Sequence, residues 1–319
     1  MTDLKQKEVA VEFYENRYEE GYMEEWDDAK KHKIREILLR LPLPAKGRIL
    51  DFGCGNGVFT RIIKDTLPDW EVYGVEISAV AVKNASKKNP DCTFFNGDDA
   101  DQYSGIFDVL FSHHVIEHVQ SLTDTFDIIN RYLKPKAAQF HVLPCGNNDS
   151  LEKQICLLKP GGIKENNLFF FEEPGHLQRL NTEQFSALEK NIGFELKLDL
   201  YANQFYGAID WITKSSPRFV KKLTDTTGIT DSDALKKMQE WRKKLLPLTY
   251  QQFPYSKYLL IREKWNKSLM DRMKLAAIFL PALASKPTYN AVRAKAMKEW
   301  EQRKEERNGS EMFLFYSRN

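Results

Sequence analysis

Apolar positions recur along this chain with two different periods, and the switch between them divides it. From 8 to 41, Val9, Val11, Phe13 and Tyr14, then Ile34, Ile37, Leu38 and Leu41, fall at helical spacing, and Pro42 and Pro44 stop that region. Between 48 and 145 short apolar runs alternate with helical segments, the pattern of βαβ units and a parallel sheet. Strands are predicted over 48–51, 71–76, 93–96, 107–112 and 139–143, with helices near 58–66, 78–88 and 122–133. A helix near 182–191 starts from Asn181 or Thr182 with Glu183 in its first turn and stops at Gly193, a residue suited to C-terminal capping. Phe194 then opens a sixth strand running to about Tyr201. After that the alternation stops. Residues 204–309 read as mostly helical, basic and aromatic-rich, and Glu311-Met312-Phe313-Leu314-Phe315-Tyr316 reads as a last short strand. No repeat and no low-complexity linker interrupts the chain.

The first strand ends in Ile49-Leu50-Asp51-Phe52-Gly53-Cys54-Gly55-Asn56-Gly57. An apolar run that passes through an acid into a glycine-rich turn is how a strand hands over to a nucleotide-binding loop. The spacing is G-x-G-x-G, not the G-x-G-x-x-G of dinucleotide sites, so the glycine that would close a helix on a pyrophosphate is out of place. Asp51 instead offers a carboxylate to a cationic group.

Four further features follow in order. Glu76 ends the second strand, 19 residues after Gly57, and Asn96-Gly97-Asp98 ends the third. His113-His114-Val115-Ile116-Glu117-His118-Val119 follows the fourth, and Leu133-Lys134-Pro135 precedes the fifth. Together with the loop they resemble class I S-adenosylmethionine (SAM)-dependent methyltransferases, in particular the ubiquinone-pathway O-methyltransferase-like group. The resemblance covers about 48–200. It implies a Rossmann-like seven-stranded α/β sheet with helices on both faces and the last strand antiparallel. In that fold 312–317 is the seventh strand, so the basic region becomes a large helical insertion before it. The expected organisation is a helical cap over 1–47, a SAM-binding core over 48–203, an insertion over 204–310 and a final strand over 311–319. The resemblance implies a cofactor site of Asp51, Gly53, Cys54, Gly55, Asn56, Gly57, Glu76, Ile77, Asp98 with Asp99 as fallback, and His113. SAM carries an amino group and a sulfonium but no phosphate, so an acidic, glycine-lined pocket suits it. Glu76 would accept the ribose hydroxyl protons, and the product would be S-adenosylhomocysteine.

Ligands of open α/β sheets bind beyond the C-terminal strand ends. The methyl acceptor should therefore meet His113 and His114, the stretch 144–148, and the segment 172–182 that contains His176. SAM is already activated, so the enzyme must align the nucleophile and, for a hydroxyl, remove its proton. His114 and His176 are the candidate bases. His114, Glu117 and His118 would share a face if the run were helical, with His176 as a fourth metal ligand. His114 stands where related metal-binding runs have Glu, so no metal is assigned.

Composition narrows the function further. Of 319 residues 42% are hydrophobic, ordinary for a globular protein. The polar N-terminus has no secretory apolar region, no run is long enough to span a bilayer, and the four cysteines have no C-x-x-C spacing, so a cytoplasmic protein with free thiols is expected. The net charge of +2 is unevenly placed: 205–309 holds 22 Lys and Arg against 11 Asp and Glu, a surplus of +11, while the rest stands at −9. Within 264–283 a basic amphipathic part leads into a nearly all-apolar part, Leu275 to Leu283, broken by Pro281. Packing on the core as a lid or interface is the default reading, and peripheral contact with the inner membrane surface is the second. Nucleic acid is not expected, because no RNA-binding module accompanies the charge. The acceptor is expected to be a small polar molecule, a glycan or a lipid-linked precursor methylated on a hydroxyl. Methylation of RNA or protein, and a non-catalytic SAM-binding subunit, are the alternatives.

Overall fold

The computed structural model describes Glu15 and residues 25–147, 149–161, 176–264 and 267–318, except for the side chains of 98–100. Seven strands form one sheet: β1 (Arg48–Phe52), β2 (Glu71–Glu76), β3 (Thr93–Asn96), β4 (Phe107–His113), β5 (Leu133–Pro144), β6 (Glu195–Ala202) and β7 (Glu311–Ser317). Their order is β3-β2-β1-β4-β5-β7-β6, and β7 lies antiparallel between β5 and β6. That placement explains why the last run is apolar at consecutive positions. Phe313 and Phe315 join the core on one face, and Met312, Leu314 and Tyr316 the core on the other.

Helices α1 (Asp28–Leu38) and α2 (Val58–Thr66) cover the first face through Ile34, Ile37, Phe59 and Ile63. Helices α4 (Leu122–Tyr132) and α6 (Thr182–Asn191) cover the second through Phe126, Ile129 and Phe185. Between them in the chain run α3 (Ala79–Lys88) and α5 (Leu151–Leu157). Of the expected helical stretch 8–41, the part before 25 lies outside the described residues apart from Glu15, which is helical. Asp27 caps α1 by accepting from the Ala29 N–H at 2.7 Å. Asn181 forms a capping box with Gln184 at the start of α6.

Three expectations change. The fifth strand is longer than 139–143 because Leu133 already pairs with Phe107; the register then slips, so that Val109 pairs with Ala138. Leu133-Lys134-Pro135 therefore starts this strand instead of preceding it. The run after β4 is not a helix: only Ile116–His118 forms a 3-10 turn, and His114 stands before it with φ 53°. Pro281 interrupts the apolar run in sequence but not the helix that contains it.

Between β6 and β7 lie α7 (Tyr206–Lys214), α8 (Pro217–Leu223), α9 (Ser232–Glu263) and α10 (Leu269–Arg303). The two long helices continue through Pro247 and Pro254, and through Pro281 and Pro287. Ala208, Ile212, Val220, Leu223, Met238 and Leu245 give the insertion its own core, which α5 joins through Leu151 and Ile155. Burial of each such side chain contributes roughly 1.5–3 kcal/mol, so this region is held by packing and not only by helix propensity.

Candidate functional site

The glycine loop leaves β1 with Gly53, Gly55 and Gly57 all at positive φ, a conformation other residues adopt only with strain. At Gly53 the backbone also passes so close to Val115 that a β-carbon would sit 2.5 Å from its Cγ2. Gly53→Ala is accordingly expected to destabilise the fold by about 1–3 kcal/mol, read as a lowered melting temperature. An unchanged melting temperature would mean that the loop relaxes freely.

Glu76, at the tip of β2, is buried and ties the loop to the next turn. Its Oε2 accepts from the Gly55 N–H at 3.0 Å and its Oε1 from the Ile77 N–H at 2.8 Å. Burial pushes its carboxyl above the usual range, against these amide donors. Asp51, 2% exposed, accepts from Thr60 Oγ1 at 2.5 Å. Burial pushes its carboxyl up to about 7, opposed by Thr60 and reinforced by the negative charge of Glu76. Asn56 is buried and accepts from Asn84 Nδ2 at 3.2 Å, and Cys54 is a buried free thiol. Ile77 is exposed at the rim, facing Gly97 at the start of the turn after β3. Asp98 and Asp99 belong to that turn; their side chains lie outside the described ones. Asp51, the loop, Glu76 and Ile77 thus converge at the C-terminal ends of β1 and β2, where glycines keep side chains out of the way and carboxylates face inward.

The end of β4 supplies a second group. His113 is buried against the Phe59 ring (centroids 4.0 Å apart) and the edge of Trp26 (4.5 Å), and burial holds its imidazole well below the usual pKa. His114 stacks on Trp26 and places its two nitrogens on two carboxylates: Nδ1 is 2.8 Å from Glu117 Oε1 and Nε2 is 3.0 Å from Glu311 Oε1. Burial pushes the His114 pKa down while Glu117 pulls it up. Burial would raise Glu117, but the imidazoles of His114, His118 and His176 outweigh it and hold the carboxyl down to about 2. Lys30 of α1 closes the cluster by an ion pair to Glu311.

His114 and His176 line one cavity of about 570 Å³, closed on the core side by Pro144, Ser310 and Glu311 and on the other by α1, α7, α9 and α10. The glycine loop is not part of its lining; His114 is where the two meet, through the contact of its neighbour Val115 with Gly53. The wall is charged. Lys214 pairs with Asp210 at 2.5 Å and with Asp27 at 3.1 Å. Glu152 is buried, and burial pushes its carboxyl up to about 8. Lys33 is 7% exposed and lines the cavity with its ammonium 5.0 Å from the Trp300 ring and within the field of Asp210, Asp27 and Glu299.

Sequence reasoning named His114 and His176 and missed Glu311, Lys30, Lys33 and Trp26. The missed signals were polar residues in apolar company: Glu311 opens an otherwise apolar strand, and Lys33 sits beside Ile34 and four residues before Ile37. For a metal, the described residues bring together Glu117, His118 and His176, and separately His113, His114 and Glu311, with ligand atoms within 4.8 Å.

A family model described as a methyltransferase domain matches residues 23–198. Among curated proteins, the chain is 28% identical over 122 residues to a trans-aconitate 2-methyltransferase of Acidovorax sp. (strain JS42), covering 35% of this chain and 47% of that protein. It is 22% identical over 200 residues to the trans-aconitate 2-methyltransferase of Escherichia coli O157:H7, covering 60% and 76%. The chain spans about half the length of the first of these relatives. Among solved structures it is similar to phosphoethanolamine N-methyltransferase 2 of Haemonchus contortus in complex with S-adenosyl-L-methionine, with 17% identity, a TM-score of 0.45, and 90% of this chain and 52% of that one covered.

Proposed function

The chain belongs to the methyltransferase-domain family, and from that premise we propose that it methylates a hydroxyl of a small polar acceptor held in the cavity beside His114. Its methyl donor is S-adenosyl-L-methionine. The donor supplies an electrophilic methyl on a sulfonium; the chain's residues bind, orient and take up the acceptor's proton. The donor site fits the group: a loop whose three glycines stand at positive φ, with inward carboxylates at Asp51 and Glu76, offers acceptors for ribose hydroxyls and counter-charge for a cation.

The observation that carries the acceptor reading is the contact of His114 with Glu117 and Glu311. With the proton held on Nδ1 by ionised Glu117, Nε2 is the acceptor nitrogen, and it lies 3.0 Å from Glu311 Oε1. An acceptor hydroxyl that takes the place of Glu311 at Nε2 gives its proton there. Transfer of labelled methyl groups to a panel of hydroxyl, amine and carboxylate acceptors tests this. Methylation confined to amines overturns it.

One observation favours a second reading. Lys33, a buried ammonium with no ion pair within 4 Å among the described residues, suits an anionic group on the acceptor. The two curated relatives described above are trans-aconitate 2-methyltransferases by name. If the acceptor is itself a carboxylate, no proton has to be removed and His114 only positions it.

Donor binding should depend on pH through Asp51. Its carboxyl is protonated below about 7 in the free protein, and the ammonium and sulfonium of the donor favour the ionised form. Below that pH binding must expel the proton, so affinity rises as pH rises towards 7 and levels off above it. Calorimetry in two buffers of different ionisation enthalpy would show proton release on the acidic side. Affinity that stays flat through neutrality would place Asp51 away from the donor's charge.

A further inference from the structure

The tip formed by the end of α9 and the first half of α10 carries apolar surface that the fold leaves uncovered. Leu269, Met270, Met273, Phe279, Leu280 and Leu283 are all at least half exposed, Leu269 and Leu280 by about three quarters. Leu269, Met273, Leu280 and Leu283 recur at helical spacing and so lie along one side of α10. The opposite side, with Asp271, Ala282, Ser285 and Tyr289, is buried. Patches of this kind on soluble proteins mark interaction sites.

The charge around the patch identifies the partner. Lys257, Arg262, Arg272, Lys274 and Lys286 are exposed on the same segment. The acids of 257–286 are both engaged: Glu263 is paired with Arg262, and Asp271 is held by Ser268 in the capping box of α10. The outward face is therefore apolar and cationic together. No described helix is long and apolar enough to cross a membrane. An apolar helix face bordered by Lys and Arg instead lies in the plane of an anionic lipid surface, its side chains in the acyl boundary and its cations at the headgroups.

We propose that this tip docks the protein on an anionic bilayer surface. Leu260 belongs both to the exposed segment and to the wall of the cavity. By this proposal an acceptor presented at the docked surface enters the cavity beside Leu260. That second step rests on the acceptor reading of the cavity; the docking does not.

The test is flotation of the full chain with vesicles of phosphatidylcholine alone or mixed with phosphatidylglycerol, at low and high salt. The wild type binds the mixed vesicles, less so at high salt, and not the neutral ones. Met273→Glu with Leu280→Glu lowers partitioning by about tenfold or more, and Arg272→Glu with Lys274→Glu and Lys286→Glu removes the preference for anionic lipid. SAM calorimetry on each variant shows that it is folded, and it separates failure of docking from failure of the methyltransferase reading. Wild type that ignores anionic vesicles overturns the proposal, as does binding that none of these substitutions changes. A wild-type dimer that Leu280→Glu dissociates, with no vesicle binding by either form, assigns the face to a second copy instead.

Discussion

Glu76→Ala is expected to weaken SAM binding by about a hundredfold or more, because hydrogen bonds to a charged acceptor contribute roughly 1.5–3 kcal/mol each and the ribose offers two hydroxyls. The loss has a second source in the protein itself. The carboxylate accepts the Gly55, Ile77 and Ser78 amides, so its removal takes a partner from three N–H groups near the loop and loosens the turn that shapes the donor site. Glu76→Gln separates these contributions. Its carbonyl oxygen can hold one side of the arrangement, so the loop should stay formed while donor affinity falls by an intermediate factor. Calorimetry with SAM and S-adenosylhomocysteine reads both variants, and thermal melts report the loop. Unchanged affinity in Glu76→Ala with the melting temperature preserved would mean that the ribose is held elsewhere.

The donor half of the site was legible in the sequence because local signals build it. Asp51, the glycines and Glu76 each end or follow a short strand, and a parallel strand shows as a continuous apolar run whose limits are hard to mistake. The predicted limits of β2 and β3 match the structure residue for residue. The seventh strand was legible for the same reason, since only a strand buried on both faces tolerates five consecutive apolar residues after Glu311. The acceptor half was less legible because contacts across the chain build it. Glu311 lies 197 residues from His114 in sequence, and nothing near either residue announces the pair. Lys33 reads as one more solvated lysine until α10 brings Trp300 over it. Pro281 breaks the apolar run in sequence, yet both long helices run through their prolines, held along their length by packing on each other and on α7. The left-handed backbone of His114 is a third case: a periodic reading puts it on a helix with Glu117, while the structure pairs them through the turn that begins at Ile116.

The second large effect is expected at His114, and it decides what kind of acceptor the cavity holds. If His114 Nε2 takes a hydroxyl proton, His114→Ala lowers kcat by about a hundredfold to ten-thousandfold, the usual contribution of a positioned general base. SAM affinity should then hold steady, because neither Asp51 nor Glu76 touches the imidazole. Glu117→Gln should reproduce part of the loss, since an amide no longer favours the Nδ1–H tautomer, and the fall should shrink at low pH, where the wild-type imidazole, pulled up by Glu117, is protonated first and stops acting as a base. If the acceptor is a carboxylate, the ordering reverses. It is already an anion at neutral pH, so His114→Ala has a small effect on kcat, whereas Lys33→Met raises KM by about tenfold or more through the lost charge contact. Both substitutions remove polar atoms from a crowded interior. Lys33→Met keeps the length of the stem over Trp300, and His114→Asn keeps a donor for Glu117 or Glu311, so a folded protein is retained for comparison. Steady-state rates for the two single variants and the double variant, against the best acceptor from the panel, discriminate the cases. A dominant kcat effect at His114 identifies proton removal, and a dominant KM effect at Lys33 identifies charge anchoring. Wild-type values in both variants would mean that the acceptor does not enter this cavity, whatever it binds elsewhere.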